Sequence, residues 1–381
     1  MERVSLLKTE SYQQDLKAKI EELLESLGGL GAFCKSGDKV LIKPNFILPR
    51  SVESAATTHP AVILAVVSLL KDMGCHVGVG DSPGMGSAEA VVRKLGIYDA
   101  LKQFRAEVVE LRTPAAVSAR QRLPFEPQFK NLLLAKEVFD YDRVINLPKL
   151  KSHGQMGITL ATKNLYGCLP GPAKGQWHFA AGRDLKTFAR LLVEIAFTVN
   201  PVLHILDGIV GMDGNGPSNG RTRGFQLLAA STNPIALDRM IVELIQHQPE
   251  QFPIFEAAGA LKLPGVRLED IQPLGTDLAL CKIDGFQVPS LTRPNWVGNK
   301  PLTLLAERLV GRRLILKRTV CIHCRKCEQH CPAKAMTYRR GIRINESKCI
   351  QCCCCQELCP VGALEVADPW LIRWLGRRRI I

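Results

Sequence analysis

Two runs of closely spaced cysteines near the C-terminus constrain the fold of this chain more than any other feature. One run extends from Cys321 to Pro332 and the other from Cys349 to Pro360. Both follow the pattern C-x2-C-x2-C-x3-C-P, and the second copy begins 28 residues after the first. Thiolates two and three residues apart on a tight loop converge on one inorganic centre. This part of the chain must therefore fold around what its cysteines bind.

The spacing is that of bacterial ferredoxins with two [4Fe–4S] clusters, in which the last cysteine of each run ligates the cluster of the other run. It therefore predicts two clusters, each held by four thiolates. The predicted ligands are Cys321, Cys324, Cys327 and Cys359 for one cluster, and Cys349, Cys352, Cys355 and Cys331 for the other.

Two further cysteines, Cys353 and Cys354, make the register of the second run ambiguous, because they offer C-x3-C alternatives. We keep the regular register, which leaves both residues as additional thiols beside the cluster. A disulfide framework is not indicated, since nothing in the chain suggests secretion. Zinc sites usually combine two C-x2-C pairs per metal, not triplets, so zinc is not favoured either.

The positive charge of the chain is concentrated around these cysteines. The net charge is +14, and residues 293–381 contain 18 Lys and Arg against 6 Asp and Glu, whereas residues 1–292 contain 32 and 30. Cluster thiolates offset part of this excess, and the remainder favours docking of an acidic redox protein, a ferredoxin or flavodoxin-like carrier. The chain contains no recognisable nucleic-acid-reading motif, so we expect no nucleic-acid partner.

The remaining composition predicts a cytoplasmic protein without a transmembrane segment. The longest apolar run, residues 61–70, is too short to span a bilayer. The first thirty residues lack the uninterrupted apolar core of a signal peptide. A basic amphipathic tail, residues 367–381, is expected to pack against its own domain, with contact to a membrane surface as the alternative.

Alternating strand and helix patterns in the first two thirds of the chain predict an α/β fold with a largely parallel sheet and flanking helices. A small α+β ferredoxin domain of the bacterial 2[4Fe–4S] type follows. The predicted domains are residues 1–261, a connector or minor lobe at 262–317, and the ferredoxin domain at 318–366. The predicted strands are 39–43, 76–79, 141–148, 202–206 and 225–230, and the predicted helices are 15–27, 60–73, 185–198, 301–310 and those after Ser87 and Asn233. Residues 112–128 are predicted to form a loop.

Polar side chains follow several of these strands at the point where each strand ends. In an open α/β sheet a ligand binds outside the carboxyl ends of the strands, so these side chains are expected to form one site. His153 is the candidate general acid–base, because histidine titrates near neutral pH without help. Lysines there favour an anionic ligand, a carboxylate or a phosphate. The predicted catalytic residues are His153, Lys151 and Asp81, and the predicted cofactor-binding residues are Lys43, Asn45, Lys149, Lys163, Asn164, Asp207 and Asp213.

Two alternatives for this site remain open. Asp81, Asp207 and Asp213, with His153 as a fourth ligand, would form an oxygen-rich metal site. The glycine-rich turn at residues 78–86 would seat a phosphate on its backbone N–H groups. Its spacing is not that of a dinucleotide-binding turn and Asp81 would repel a phosphate, so a plain tight turn is the simpler interpretation.

An ordered set of motifs resembles the bacterial and archaeal family called domain of unknown function 362. The motifs are Lys43-Pro-Asn45, Gly80-Asp-Ser-Pro-Gly84, Lys149-x-Lys-x-His153, Lys163-Asn164-x-x-Gly167, Asp207-Gly208, Gly214-x-Gly-Pro217, and Asp238 in Asn-Pro-x-x-x-Asp. The resemblance covers residues 38–245, and members of this family often carry a C-terminal two-cluster ferredoxin domain. It implies an α/β domain with a polar site and no defined reaction. The run Cys352–Cys355 departs from the usual ferredoxin pattern.

Three functions follow from these observations. The first is a ferredoxin-dependent oxidoreductase, in which electrons from the clusters reach an anionic small molecule or cofactor in the α/β domain. The second is an electron-relay subunit without chemistry of its own. The third is a factor for cofactor or metal assembly, in which the clusters are structural. We favour the first, because the fusion of a two-cluster domain to a domain with its own polar pocket is expected when the pocket consumes electrons.

Overall fold

The protein is described from a computed structural model, which covers residues 1–171, 173–289, 291 and 313–367. The predicted helix at 301–310 and all but the first residue of the predicted tail lie outside these residues. Within them, no helix is both long enough and apolar enough to cross a membrane. The strands are β1 Glu2–Lys8, β2 Lys39–Pro44, β3 His76–Asp81, β4 Glu107–Glu110, β5 Pro114–Ser118, β6 Asn131–Ala135, β7 Arg143–Leu147, β8 Lys149–His153, β9 Gly157–Thr159, β10 Leu203–Asp213, β11 Arg221–Ser231, β12 Ile271–Gly275, β13 Arg313–Leu316, β14 Met336–Tyr338, β15 Ile342–Ile344 and β16 Leu364–Ala367.

The α-helices lie mainly between the strands, as the α/β prediction requires. The helix predicted to start at about Ser87 begins directly after this residue, whose side chain accepts a hydrogen bond from Ala90 N. Asn233, predicted to cap the next such helix, accepts from Ile235 N and Ala236 N. The helices are α1 Leu16–Glu25, α2 Pro60–Asp72, α3 Ala88–Lys94, α4 Tyr98–Gln103, α5 Ala161–Asn164, α6 Ala173–Ala181, α7 Leu185–Val199, α8 Pro234–Leu244, α9 Pro253–Ala260, α10 Leu278–Cys281, α11 Lys326–Gln329 and α12 Cys354–Glu357.

Ten strands form one sheet in the order β12-β1-β11-β10-β7-β2-β3-β4, with β8 beside β10 and β9 beside β8. The pairs β2–β3, β2–β7, β3–β4, β7–β10, β8–β10 and β1–β12 are parallel. Helices α1 to α4 cover one face, where Val40 and Ile42 point, and α7 to α9 cover the other, where Leu41 points. The prediction of a largely parallel sheet with flanking helices is confirmed.

Three local predictions are wrong. Strand β1 was not predicted; it lies between β11 and β12 and is antiparallel to β11. Within residues 112–128, β5 pairs with β6 in an antiparallel ribbon. Strand β10 does not end at Asp207 but continues to Asp213. The Asp207-Gly208 dipeptide resembles a turn, yet a bulge between Gly208 and Val210 absorbs the irregularity and pairing with β11 continues.

The cysteine-rich domain, residues 313–367, is small and built from two repeats. Strands β13 and β16 form one antiparallel ribbon, and β14 and β15 form another. The short helices α11 and α12 occupy equivalent places in the two cysteine runs. This is the α+β arrangement predicted for the domain.

Candidate functional site

A cavity of about 750 Å³ lies between the strand ends of the large domain and the cysteine-rich domain. The large domain contributes the ends of β2 and β3, the residue His153 of β8, and the helices α5 and α6. The opposite wall comes from the cysteine-rich domain and consists of Gln329, His330, Cys331, Pro332, Cys354, Glu357 and Leu358. A ligand in this cavity would therefore touch both domains.

The buried pair Lys43–Asp81 closes the ends of β2 and β3. Lys43 Nζ lies 2.9 Å from Asp81 Oδ1 and donates a hydrogen bond to Pro44 O. The same carboxylate accepts hydrogen bonds from Phe46 N and Ser82 N, both at 2.8 Å. These contacts fix the loops that begin one wall of the cavity.

A second buried group joins Lys151 to two asparagines. Lys151 Nζ donates to Asn45 Oδ1 at 2.6 Å and to Ala56 O at 2.5 Å. Asn45 Nδ2 donates to Asn164 Oδ1 at 2.7 Å, and both asparagines line the cavity. Burial lowers the pKa of Lys151 well below its ordinary value, and the charge of Lys163 lowers this pKa further. The structure thus joins three predicted site residues, Lys151, Asn45 and Asn164, in one hydrogen-bonded group.

His153 connects the two domains. Its Nδ1 accepts hydrogen bonds from Gln155 N at 3.0 Å and Met156 N at 3.2 Å, so the proton of the neutral ring is on Nε2. This Nε2 lies 2.7 Å from Glu357 Oε1. Burial lowers the pKa of His153 to about 4. Burial alone would raise the pKa of Glu357, but His153 and Lys163 hold this pKa at about 2, so the carboxylate is charged at neutral pH.

Cations and unpaired polar atoms line the same cavity. Lys163 and Lys174 both lie in its wall, and Lys174 Nζ donates to Ser82 O. Burial lowers the pKa of Lys174 to about 8. The buried atoms Thr159 Oγ1 and His178 Nδ1 have no hydrogen-bond partner among the described residues. Because buried polar groups are nearly always hydrogen-bonded, these atoms indicate a bound ligand or water.

Lys149 on β8 and Asp207 on the neighbouring strand β10 form a separate buried pair. Lys149 Nζ lies 2.6 Å from Asp207 Oδ2, and Tyr12 OH donates to Asp207 Oδ1 at 2.7 Å. Neither Lys149 nor Asp207 lines the cavity. Both were predicted to bind a cofactor, and the structure places them outside the group around His153.

Asp213 also lies apart from the cavity wall. Its carboxylate is 2.8 Å from Arg221 and 2.9 Å from Arg223. Asp81, Asp207 and Asp213 thus each pair with a different cation. In the part of the chain that the structure describes, no three His, Cys, Asp or Glu side chains converge on one ion. These positions contradict the alternative of a single oxygen-rich metal site.

The eight predicted cluster ligands surround two small cavities inside the cysteine-rich domain. In a [4Fe–4S] cube each iron takes one thiolate, so the four ligands enclose a space and do not converge on one ion. The first cavity is lined by Cys321, Cys324, Cys327 and Cys359, and the second by Cys331, Cys349, Cys352 and Cys355, with Cys353 beside them. Two groups of four thiols, each around a small and largely apolar space, fit two such clusters.

The backbones of the two cysteine runs have the same conformation at equivalent positions. His323 and Gln351 occupy equivalent positions with φ of 56° and 55°. The sulfur of Cys331 accepts a hydrogen bond from Ala335 N at 3.2 Å, and the sulfur of Cys359 accepts one from Ala363 N at the same distance. Cys354 lines the large cavity and not the second small one.

Four residues of this cavity were not predicted from the sequence: Glu357, Lys174, Thr159 and His178. Glu357 sits among the cysteines of the second run, where the first run has Gln329. That departure from the repeat was a usable signal. Lys174 and His178 lie on α6, for which no helix was predicted. Their proximity to the strand ends depends on how α6 packs, which no local pattern indicates.

Comparison with known proteins identifies both parts of the chain. A family model described as "Domain of unknown function (DUF362)" matches residues 40–243, and one described as "4Fe-4S dicluster domain" matches residues 313–360. The chain is 40% identical over 292 residues to the thylakoid-associated protein sll1697 of Synechocystis sp.. This alignment covers 76% of the chain and 89% of the relative.

Two solved structures align with 60% of the chain at 13% identity. One is a protein from Thermotoga maritima, with a TM-score of 0.39 and 57% of that chain covered. The other is the lactate racemase apoprotein from Thermoanaerobacterium thermosaccharolyticum, with a TM-score of 0.41 and 54% covered. The alignments span little more than half of each of these proteins. The family models show that the chain carries a C-terminal 4Fe–4S domain of the ferredoxin type, which binds iron–sulfur clusters and transfers electrons. They also show that the chain belongs to the domain of unknown function 362 family.

Proposed function

We propose that this protein is an iron–sulfur oxidoreductase that delivers electrons to an anionic small molecule or cofactor in the cavity between its two domains. One observation carries the proposal: lysines of the large domain and the Cys331 and Cys354 loops of the cysteine-rich domain face the same cavity. An anion held by Lys163 and Lys174 would lie beside the second group of cysteines. A relay subunit has no need of such a cavity.

The proposal assigns two [4Fe–4S] clusters to the two groups of four cysteines in the regular register. Such a cluster supplies one-electron transfer at a potential tuned by hydrogen bonds and solvent. The N–H groups of Ala335 and Ala363 are donors to ligand sulfurs, and they favour the more negative, reduced state. Cys354 remains outside the ligand set, as a thiol in the cavity wall.

The proposal assigns a role to each of the polar side chains described above. Lys163 and Lys174 attract the anion, and Asn45 and Asn164 orient it through their amide groups. The Lys43–Asp81 pair fixes the loops beneath it. His153 carries its proton on Nε2 beside Glu357, within the cavity wall; because its pKa of about 4 keeps the ring neutral, we assign it to positioning Glu357 and not to giving a proton to the ligand. Lys151 keeps Asn45 in position.

The electron donor is proposed to be an acidic ferredoxin or flavodoxin-like protein in the cytoplasm. The excess of basic residues after position 292 supports this partner. The printed name of the Synechocystis relative associates that protein with thylakoids, so a location at a membrane surface is the alternative for this chain.

Anaerobic purification of the full chain tests the proposal. We expect about eight irons and as many sulfides per chain, and an anionic compound released on denaturation and identified by mass spectrometry. The variants Lys163→Gln and Lys174→Gln should lose this compound, while Lys130→Gln, on the exposed β5–β6 ribbon, should retain it. All three should keep the wild-type iron content.

Two results would contradict the proposal in different ways. Zinc without sulfide would refute the clusters. The anion site would be refuted, and a relay favoured, if the protein had its full iron content but no bound anion. In that case neither the wild type nor the lysine variants should bind added phosphate or carboxylates.

A further inference from the structure

The two groups of cluster cysteines differ in their access to solvent. In the first group Cys324 is exposed, Cys321 and Cys327 are half-buried, and Cys359 is buried. In the second group none is exposed: Cys352 and Cys355 are buried, Cys331 and Cys349 are half-buried, and Cys331 lines the large cavity. The first group therefore lies at the protein surface, and the second lies next to the proposed ligand.

Apolar side chains are exposed around the first group. The exposed fractions of Val320, Ile322 and Val361 are 40%, 59% and 38%. Ile322 and Val361 line the small cavity that also contains Cys324. Large apolar side chains exposed side by side usually mark a surface that binds a partner.

Positive charge borders this apolar surface. Arg318 is exposed in the turn directly before Cys321, where Val320 N donates to Lys317 O at 3.1 Å. Lys326 lines the small cavity itself. Residues 313–367 contain ten Lys and Arg against four Asp and Glu, so the domain presents a positive potential to an approaching protein.

We propose that Val320, Ile322 and Val361, bordered by Arg318 and Lys326, form the docking face for an acidic one-electron carrier; this rests on the proposed function only in requiring an electron donor. We call this surface the Ile322 face. Its apolar centre would exclude water, and its basic border would attract and orient an acidic partner. A membrane or a nucleic acid would use the positive charge, but neither would need an exposed cluster ligand, Cys324, beside the apolar side chains.

Ferredoxin binding to charge-reversal variants tests the Ile322 face without measuring turnover. The probe is an oxidised, acidic plant-type [2Fe–2S] ferredoxin, titrated anaerobically into the full cluster-loaded protein by calorimetry at low and high salt. We expect Arg318→Glu and Lys326→Glu to weaken binding about tenfold at low salt, because each places a negative charge against an acidic partner. Lys130→Glu, the same charge change on the large domain, should bind as wild type. Iron content verifies that each variant is intact.

Three outcomes would overturn the docking face. One is an equal effect of Lys130→Glu, which would mean that only net charge matters. Another is unchanged ferredoxin binding in Arg318→Glu and Lys326→Glu. The third is a loss of binding to vesicles of phosphatidylcholine with phosphatidylserine in these two variants while ferredoxin binding persists, which would assign the surface to a membrane. Because the anion in the large cavity is identified separately, failure of the docking face leaves the proposed function standing, and the reverse is also true.

Discussion

Replacing Asp81 by asparagine should destabilise the large domain strongly, because Lys43 would be left as a buried charge without its counter-ion. The two side chains are almost completely buried and 2.9 Å apart. At an effective dielectric constant of 20 their attraction is about 6 kcal/mol before desolvation. Removing the charge of one partner of such a pair typically costs about 3–5 kcal/mol, since neutral acceptors such as an amide oxygen or Pro44 O do not balance the charge of Lys43 Nζ. We therefore expect Asp81→Asn to lower the free energy of unfolding by about 3 kcal/mol or more.

Urea denaturation followed by circular dichroism would measure this loss in anaerobically prepared protein. The second substitution Lys43→Met removes the stranded charge and should restore about 2 kcal/mol in the Asp81→Asn background. Glu89→Gln provides the matched control, because Glu89 pairs with Arg93 at 2.7 Å on an exposed helix face. That change should have little effect on stability.

The reasoning would be refuted if Asp81→Asn cost no more than Glu89→Gln, or if Lys43→Met gave no recovery. Either result would mean that Asp81 is not committed to Lys43. The carboxylate would then be available for the catalytic role predicted from the sequence. A large loss with recovery would instead assign Asp81 to holding the loops of the cavity wall.

Three further predictions concern the cavity and the clusters. Burial lowers the pKa of Lys174 to about 8, so its charge is lost as the pH rises through that value; calorimetry should show anion affinity falling between pH 7 and pH 9 in the wild type but not in Lys174→Met. Gly167→Ala would place a methyl carbon against Asp81 Oδ1 and 2.5 Å from Lys43 Nζ, and should lower the free energy of unfolding in urea by about 1–3 kcal/mol. Gly259→Ala, inside α9 and with its nearest atom at 3.8 Å, should instead raise it by about 0.5–1 kcal/mol. Cys354→Ser should keep the wild-type iron content and Cys355→Ser should lose iron; the opposite pattern would overturn the regular register.

The parts of the fold that depend on local pattern were predicted from the sequence. Strand β2 and helix α2 are marked by an apolar run and by Pro60 at the start of the helix. The same is true of α8, which begins after Asn233 with Pro234 in its first turn. Strand β1 was not predicted because its place in the sheet, next to the edge strand β12, comes from pairing with β11 and β12, which lie over 200 residues away.

The candidate site was predicted in its composition but not in its arrangement. Lysines and aspartates at strand ends indicated a polar pocket, yet the structure commits Asp207 to Lys149 and Asp213 to two arginines. Ion pairs between distant segments leave no trace in local spacing. Glu357 was not predicted for the opposite reason: it belongs to the cysteine-rich domain, yet it contacts His153 and forms part of the wall of the large cavity.

The sequence by itself determined that this chain binds iron–sulfur clusters, because the spacing of the cysteines is local and is specific for that kind of ligand. It also determined the α/β class, since strand and helix periods are local. Only the tertiary structure decided which cysteines face solvent and which face the cavity, and which buried charges are paired. Those properties depend on how two domains pack, so they arise from contacts between residues far apart in the chain. As a result Cys324 lies at the protein surface, whereas Cys354 lies in the wall of the large cavity.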